Sequence, residues 1–262
     1  MALWVLPSCL GERHQEHLVV GGSSALLPLM RHAASRFGEL HPTVTIDVMA
    51  GGSLQGLWQV QQGVIDLGSL DLEPPEELPS LERHAVATTA FAITASDGPN
   101  LPADLSLRRD QIAAIFSGRL RDWGELGGQP GAIFVVNRPR SSGSRRLFER
   151  LFFAGADRFE PHAPVGDNAG SVARTLAVLP GAISYLPLPY VRPPLRALAI
   201  DGVLPSPETL EARTYPFAAR GYLVTARAPR PVVAAFVELV TSPEFQRDEL
   251  PRLGYLPVGS IP

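Results

Sequence analysis

The sequence predicts an α/β fold, on three observations. Short β-rich runs alternate with segments of helical periodicity along most of the chain. The step from strand to helix recurs through a Gly/Ser turn, at Gly22-Ser23-Ser24, Gly51-Gly52-Ser53 and Ser142-Gly143-Ser144. The composition is globular, 45% hydrophobic and 19% charged over 262 residues. That is chain enough for one large domain or two modest ones without disulfide or metal staples.

Residues 18–20 read as a strand and Gly21-Gly22-Ser23-Ser24 as the turn after it. Leu26, Leu27, Met30, Ala33, Ala34 and Phe37 then keep helical spacing. Pro28 is tolerated only in a first turn, so this helix starts near residues 25–27. Residues 43–48 form a second strand. After Gly51-Gly52-Ser53, a helix is expected with Leu54, Leu57 and Trp58 on its apolar side and Gly63 at its end. Residues 65–68 make a third strand, and Pro74, Pro75 and Pro79 mark a loop. Residues 85–95 read as a long apolar strand, and 107–116 as a helix closed by Gly118. Residues 133–136 form a strand that runs into Asn137-Arg138-Pro139-Arg140-Ser141-Ser142-Gly143-Ser144, and Leu147, Phe148, Leu151 and Phe152 follow at helical spacing. A helix over 171–179 stops at Pro180-Gly181, and 182–186 is a strand. Past Leu186, prolines at 187, 189, 193 and 194 break any regular pattern. Residues 217–226 give a further strand, and 232–240 the last strong helix.

All 23 basic residues are Arg, because the sequence holds no Lys. That removes phosphate-binding P-loops, protein kinases and Schiff-base chemistry, each of which needs an ammonium group. The single Cys, Cys9, excludes an internal disulfide and a multi-Cys zinc site. The six His are scattered without metal-ligand spacing. No cofactor is therefore expected. A net charge of -3 offers no basic field for nucleic acid. No run approaches the roughly 18 apolar residues of a membrane helix. Residues 1–10 are apolar but lack a basic leading region, and Leu6-Pro7-Ser8-Cys9 resembles the lipidation box of bacterial lipoproteins. Residues 1–17 are expected to be an N-terminal segment left from an export or lipoprotein signal, with an extracytoplasmic protein behind it, anchored through Cys9 if the Cys is lipidated.

The three Gly/Ser turns suggest a chemistry. The first turn of a helix carries unpaired N–H groups and the positive end of its dipole. A Ser there adds a hydroxyl, and a Gly lets an anion approach the backbone. Taken singly, each Ser reads first as an N-cap, and the co-occurrence with Arg138 is what points to an anion. Arg138, four residues before Ser142, adds a planar fork that pairs with phosphate or carboxylate. An enzyme such as a phosphoesterase or Ser hydrolase using Ser142 or Ser144 lacks support: there is no Gly-x-Ser-x-Gly elbow, no His near these residues, and no carboxylate/His cluster for a metal.

These residues, taken in order, resemble the phosphate-binding proteins of bacterial phosphate ABC transporters, of the type II periplasmic-binding-protein fold. The resemblance runs from about Leu18 to Val258. It rests on Gly22-Ser23-Ser24, Gly51-Gly52-Ser53 and the strand Ile65-Asp66-Leu67-Gly68-Ser69-Leu70-Asp71. It continues through Ile115-Phe116-Ser117-Gly118 with Trp123, then Arg138 with Ser142-Gly143-Ser144. Leu179-Pro180-Gly181-Ala182-Ile183-Ser184-Tyr185 and Ser242-Pro243-Glu244-Phe245-Gln246 complete it. Ser replaces the family's Thr at 24 and 144, which keeps a hydroxyl.

The resemblance implies two α/β lobes joined by a hinge, residues 18–90 with 190–262 and residues 91–189, and phosphate in the cleft between them. It implies hydroxyl donors at Ser24, Ser53, Ser142 and Ser144, backbone donors at Ala25, Gly143 and Ser144, and charge neutralisation by Arg138. Asp71 would accept the proton that bound phosphate still carries, a proton that sulfate lacks near neutral pH; otherwise it is a strand-end turn residue or a helix N-cap. Arg140 and Arg145 are expected at the surface, in ion pairs or just behind the ligand. Asp66 is expected to cap or salt-bridge, and Trp58 and Trp123 to pack. A monomer that meets a membrane-embedded ABC permease transiently is implied. Another tetrahedral oxyanion (tungstate, molybdate, sulfate) or a phosphate-sensing role are the alternatives.

Overall fold

The computed structural model describes residues 15–75, 78–96, 101–102, 104–153 and 158–260. Cys9 and the segment 1–14 lie outside the described residues. The chain begins with a strictly alternating unit: β1 (Glu16–Gly22), α1 (Leu27–Leu40), β2 (Val44–Ala50), α2 (Ser53–Gln61) and β3 (Leu67–Leu70). β1 pairs in parallel with both β2 and β3. The three strands therefore end on the same side, where Ser23-Ser24, Gly52-Ser53 and Asp71 follow them. In open α/β sheets that edge is where ligands sit.

α1 buries Leu29, Met30, Ala33 and Phe37, with Pro28 in its first turn as the spacing requires. α2 differs from expectation. Its buried stripe is Ser53, Gly56, Leu57 and Val60, and Trp58 is 57% exposed. Gly56 explains the rotation: a Cβ there would lie 2.7 Å from the Cα of Gly22, so α2 crosses β1 backbone to backbone. Trp58, two residues past Gly56, is turned about 200° from that contact, onto the opposite face of the helix.

β4 (Leu81–Ser96) is 16 residues long and serves two regions. Residues 81–90 pair with β9, and residues 91–96 pair with β7 and β8. Between them come β5 (Ser106–Leu107), α3 (Arg109–Phe116), β6 (Phe134–Val135), α4 (Gly143–Phe152), α5 (Ala169–Val178), β7 (Ala182–Pro187), β8 (Leu195–Ile200) and α6 (Pro207–Glu211). β9 (Ala218–Ala226) and α7 (Pro231–Thr241) return the chain to the first region. The strands run in the order β2-β1-β3-β9-β4-β7-β6, with β8 beside that path on β4 and β5.

Two large hydrophobic cores match this division. One gathers Leu18, Leu26, Phe37, Leu67, Phe236 and Tyr255. The other gathers Phe91, Phe116, Trp123, Phe148, Tyr185 and Phe217. Trp123 packs as expected, its indole N–H donating to the Gly181 carbonyl at 3.2 Å. The strand β8 was not legible in the proline-rich stretch. It begins directly after Pro193-Pro194, and Leu198, Ile200, Leu210, Tyr215 and Phe217 belong to the second core. The chain thus stays with that core well past residue 190. Phe91 N–H donates to the Phe217 carbonyl at 2.8 Å, so the two passages between regions lie side by side.

α4 is anchored by Phe148, whose ring stacks on Tyr185 at 4.8 Å and meets Phe116 at 4.5 Å. Phe148→Ala is expected to cost about 3–5 kcal/mol of stability. A denaturant titration checks it, as a lower midpoint with an unchanged slope.

Candidate anion-binding cleft

The cleft is assembled from the turns that follow β1, β2 and β3 and from the starts of α4 and α5. Ser23 and Ser24 are not caps of α1, whose N-cap is Leu26 with no side-chain bond. The Ser24 hydroxyl is buried and accepts from two groups of the other region, the Arg138 Nη2 and the Ala169 backbone N–H, each at 3.1 Å. Its carbonyl accepts from the Tyr190 hydroxyl at 3.0 Å. The Ala25 N–H, expected to face a ligand, instead donates to Ser23 Oγ at 3.0 Å. A tight local turn has claimed that donor.

Gly52 leads into α2 with φ of +96°, a conformation that suits Gly, and Ser53 is the first helical residue. The Ser53 hydroxyl donates to the Asp71 carboxylate and accepts the Asp71 backbone N–H at 3.1 Å. A hydroxyl has a single proton. In this arrangement Ser53 spends it on holding Asp71 rather than on a ligand.

Asp71, directly after β3, is 3% exposed. Its carboxylate lies against Gly143, the first residue of α4, where a Cβ would overlap both Asp71 and Ser53. Only a Gly lets the helix start come this close. The N–H groups and dipole of that helix end offset the buried negative charge.

Arg138 is 2% exposed. Its Nη2 donates to Ser24, and its Nε has no hydrogen-bond partner. Among the described residues no ion pair engages it. Burial pushes its pKa below the ordinary guanidinium value, and the negative charges of Asp71 and Asp167 oppose that shift. A guanidinium this far up the scale stays charged. A buried cation with an idle donor carries a large desolvation cost, which an anion would offset.

Ser142 caps α4, its hydroxyl accepting the Arg145 N–H at 3.4 Å, and it lies 2.8 Å from the Ser144 hydroxyl. Both Ser are buried. The capping role and the cleft position therefore coexist in one residue. Across the cleft, the Leu54 N–H approaches the Ser141 carbonyl at 3.4 Å.

Other residues of the site escaped the sequence reading. Ala169 opens α5, and its N–H points at Ser24; the helix was expected to start two residues later. The signal was present in Asn168 and Ser171, which form a reciprocal capping pair. Asn137 takes the Arg138 N–H at 2.7 Å and the Tyr185 hydroxyl at 3.1 Å on its carboxamide oxygen. Arg145 donates to the Arg138 carbonyl at 2.7 Å, pairs with Glu149 at 3.0 Å, and sits 4.5 Å over the Phe159 ring. It braces the loop from behind. Asp66 is structural, accepting from Val19 N–H and Arg230. Among the described residues no group of three or more His, Cys, Asp or Glu gathers to hold a metal, and no helix is long and apolar enough to cross a membrane.

Comparison with known proteins gives this geometry a family. The PBP superfamily domain matches residues 11–244. The phosphate-binding protein PstS of Bacillus subtilis is 33% identical over 255 residues, covering 95% of this chain and 83% of that protein. A solved structure described as a putative phosphate ABC transporter substrate-binding protein with bound phosphate, from Clostridium perfringens, superposes with a TM-score of 0.85 at 25% identity. It covers 93% of this chain and 100% of that one. An ABC-type phosphate transport receptor from Vibrio cholerae shares the fold, with a TM-score of 0.72 at 21% identity over 91% of this chain and 99% of that one. The chain belongs to the PBP superfamily and, within it, to the PstS family of two-lobed solute-binding proteins.

Proposed function

We propose that this protein binds inorganic phosphate between its two lobes and presents it, outside the cytoplasm, to a membrane-embedded ABC permease. The observation that carries the reading is Arg138, a buried guanidinium with an idle Nε and no ion-pair partner among the described residues. It stands where the starts of α2, α4 and α5 converge. The names of the Bacillus subtilis relative, a phosphate-binding protein, and of the Clostridium perfringens structure, a substrate-binding protein with bound phosphate, agree with it.

The lobes are taken as residues 18–90 with 218–262, and residues 91–217. The hydrogen bond from Phe91 to Phe217 and the pairing of Ala90 with Ala218 support that division. Rotation about these adjacent strands would open the cleft.

On binding, the Arg138 fork takes two phosphate oxygens. The N–H groups at Gly143 and Ser144 take others, as does whichever of the Ser142 and Ser144 hydroxyls is not donating to its neighbour. Ser24, whose oxygen bridges the lobes in this structure, keeps its proton for the ligand. Asp71 accepts the proton of HPO₄²⁻, and Ser53 holds it in position. Sulfate has no proton to offer and would leave a buried carboxylate facing an anion. Sites that demand a hydrogen-bonding partner discriminate by about 10⁴-fold or more.

Calorimetric titration of phosphate-stripped protein tests the reading. Micromolar or tighter binding of phosphate, with sulfate at least about 10³-fold weaker, is expected. No phosphate binding refutes it, and tighter binding of sulfate, molybdate or tungstate reassigns the site.

A further inference from the structure

The interlobe cleft has an outer half that the ligand site does not use. A cavity of about 790 Å³ runs to Asp71 between the lobes. On one wall stand Glu73 and Arg220; on the other stand Arg146, Arg150 and Arg213. Four guanidiniums thus face two carboxylates, on a chain whose net charge is -3. Glu73 is already held by Arg83 at 3.2 Å and by the Tyr222 hydroxyl, and Asp71 by Ser53.

Among the described residues, no hydrogen bond or ion pair engages the guanidiniums of Arg146, Arg150 or Arg213. Several surface arginines are paired, as in Arg108 with Asp110, Arg121 with Glu160 and Arg230 with Asp66, and others, such as Arg31, Arg174 and Arg192, have no such pair among the described residues; what sets Arg146, Arg150 and Arg213 apart is that they share one cavity. Arg146 and Arg150 occupy successive turns of α4, about 6 Å apart along its axis. They line the same cavity as Asp71, whose carboxylate lies against Gly143 at the start of α4. Arg213 sits just past the end of α6 with φ of +57°, where Gly is usual. That conformation is costly for a residue with a Cβ, so the position favours Gly on backbone grounds and yet carries a guanidinium into this cavity.

We infer that this arginine-lined cavity is an anion vestibule, a second and weaker oxyanion site that captures ligand before the cleft closes. The inference rests on the phosphate reading above. Its role is kinetic. A cleft whose lining carries an excess of one sign of charge, here four guanidiniums against two carboxylates, raises association rates, and salt screens the effect. The inner site sets the dissociation rate.

The test is stopped-flow fluorescence of phosphate binding at low and high salt, with wild type, Arg146→Glu/Arg150→Glu and Arg213→Gly. The double variant is expected to associate at least about 10-fold more slowly at low salt, to lose most of the salt dependence, and to keep the wild-type dissociation rate. Arg213→Gly relieves backbone strain. It is expected to melt no lower than wild type and still to associate about 2-fold more slowly. Wild-type association rates and salt dependence in both variants overturn the vestibule, as does an effect confined to dissociation. Absence of phosphate binding by wild type at equilibrium refutes the phosphate reading instead, which keeps the two failures apart.

Discussion

Arg138→Met is expected to weaken phosphate binding by roughly 10²–10⁴-fold and to leave the unliganded protein at least as stable as wild type. The two halves of that result have one cause. In the bound state Arg138 would make buried, charge-assisted bonds, and truncating one partner of such a pair costs about 2–5 kcal/mol. In the free state the same guanidinium is 2% exposed, donates to Ser24 and leaves its Nε idle. An apolar side chain of similar length removes that desolvation cost. Thermal scans with and without phosphate separate the effects. Wild type should gain about 2.7 kcal/mol of stability at a phosphate concentration 100 times its dissociation constant, and the variant should gain almost none at that concentration. A variant that melts far below wild type without ligand would mean that Arg138 is a structural cation.

The second large effect is on selectivity. Asp71→Ala removes both the carboxylate that would accept the phosphate proton and the negative charge that would repel sulfate. The preference for phosphate is expected to fall from about 10⁴-fold to within roughly 10²-fold, through weaker phosphate and stronger sulfate binding. Asp71→Asn keeps an oxygen that can accept, so it separates the hydrogen bond from the charge. It should retain more phosphate affinity than the Ala variant. Competition titrations with sulfate read both. Unchanged selectivity in Asp71→Ala would assign Asp71 only the turn and the bond to Ser53 seen here.

The legible part of the site is local. Ser24, Ser53, Ser142, Gly143 and Ser144 stand in strand–turn–helix junctions, whose chemistry follows from the backbone: a helix start exposes N–H groups, and Gly and Ser crowd it least. Arg138 was conspicuous because it precedes one such turn by four residues. What the sequence hid is tertiary. Nothing local says that Ala169 N–H will meet Ser24, 145 residues away. Nor does it say that the Ser53 proton will be drawn to Asp71, or that Ser23 will take the Ala25 N–H.

The same divide runs through the fold. The alternation of strand and helix that predicted an α/β protein survives in the order of the elements, although β4 is buried continuously over residues 86–96. Trp58 was misplaced because hydrophobicity outweighed Gly56, whose absent side chain lets α2 lie on β1. β8 was lost among prolines that in fact stop just before it. The passage of the chain between the cores depends on which of two sheets each half of β4 joins. Periodicity carries no information about that choice.

The central claim is that the cleft holds phosphate between Arg138 and Asp71, and a crystal structure of the protein grown with phosphate tests it most directly. The expected density is one tetrahedral ion, with oxygens within hydrogen-bond distance of the Arg138 guanidinium and of the Gly143 and Ser144 N–H groups, and one oxygen against the Asp71 carboxylate. An ion bound elsewhere, or a saturated protein whose Arg138 and Asp71 touch no ligand, would contradict it.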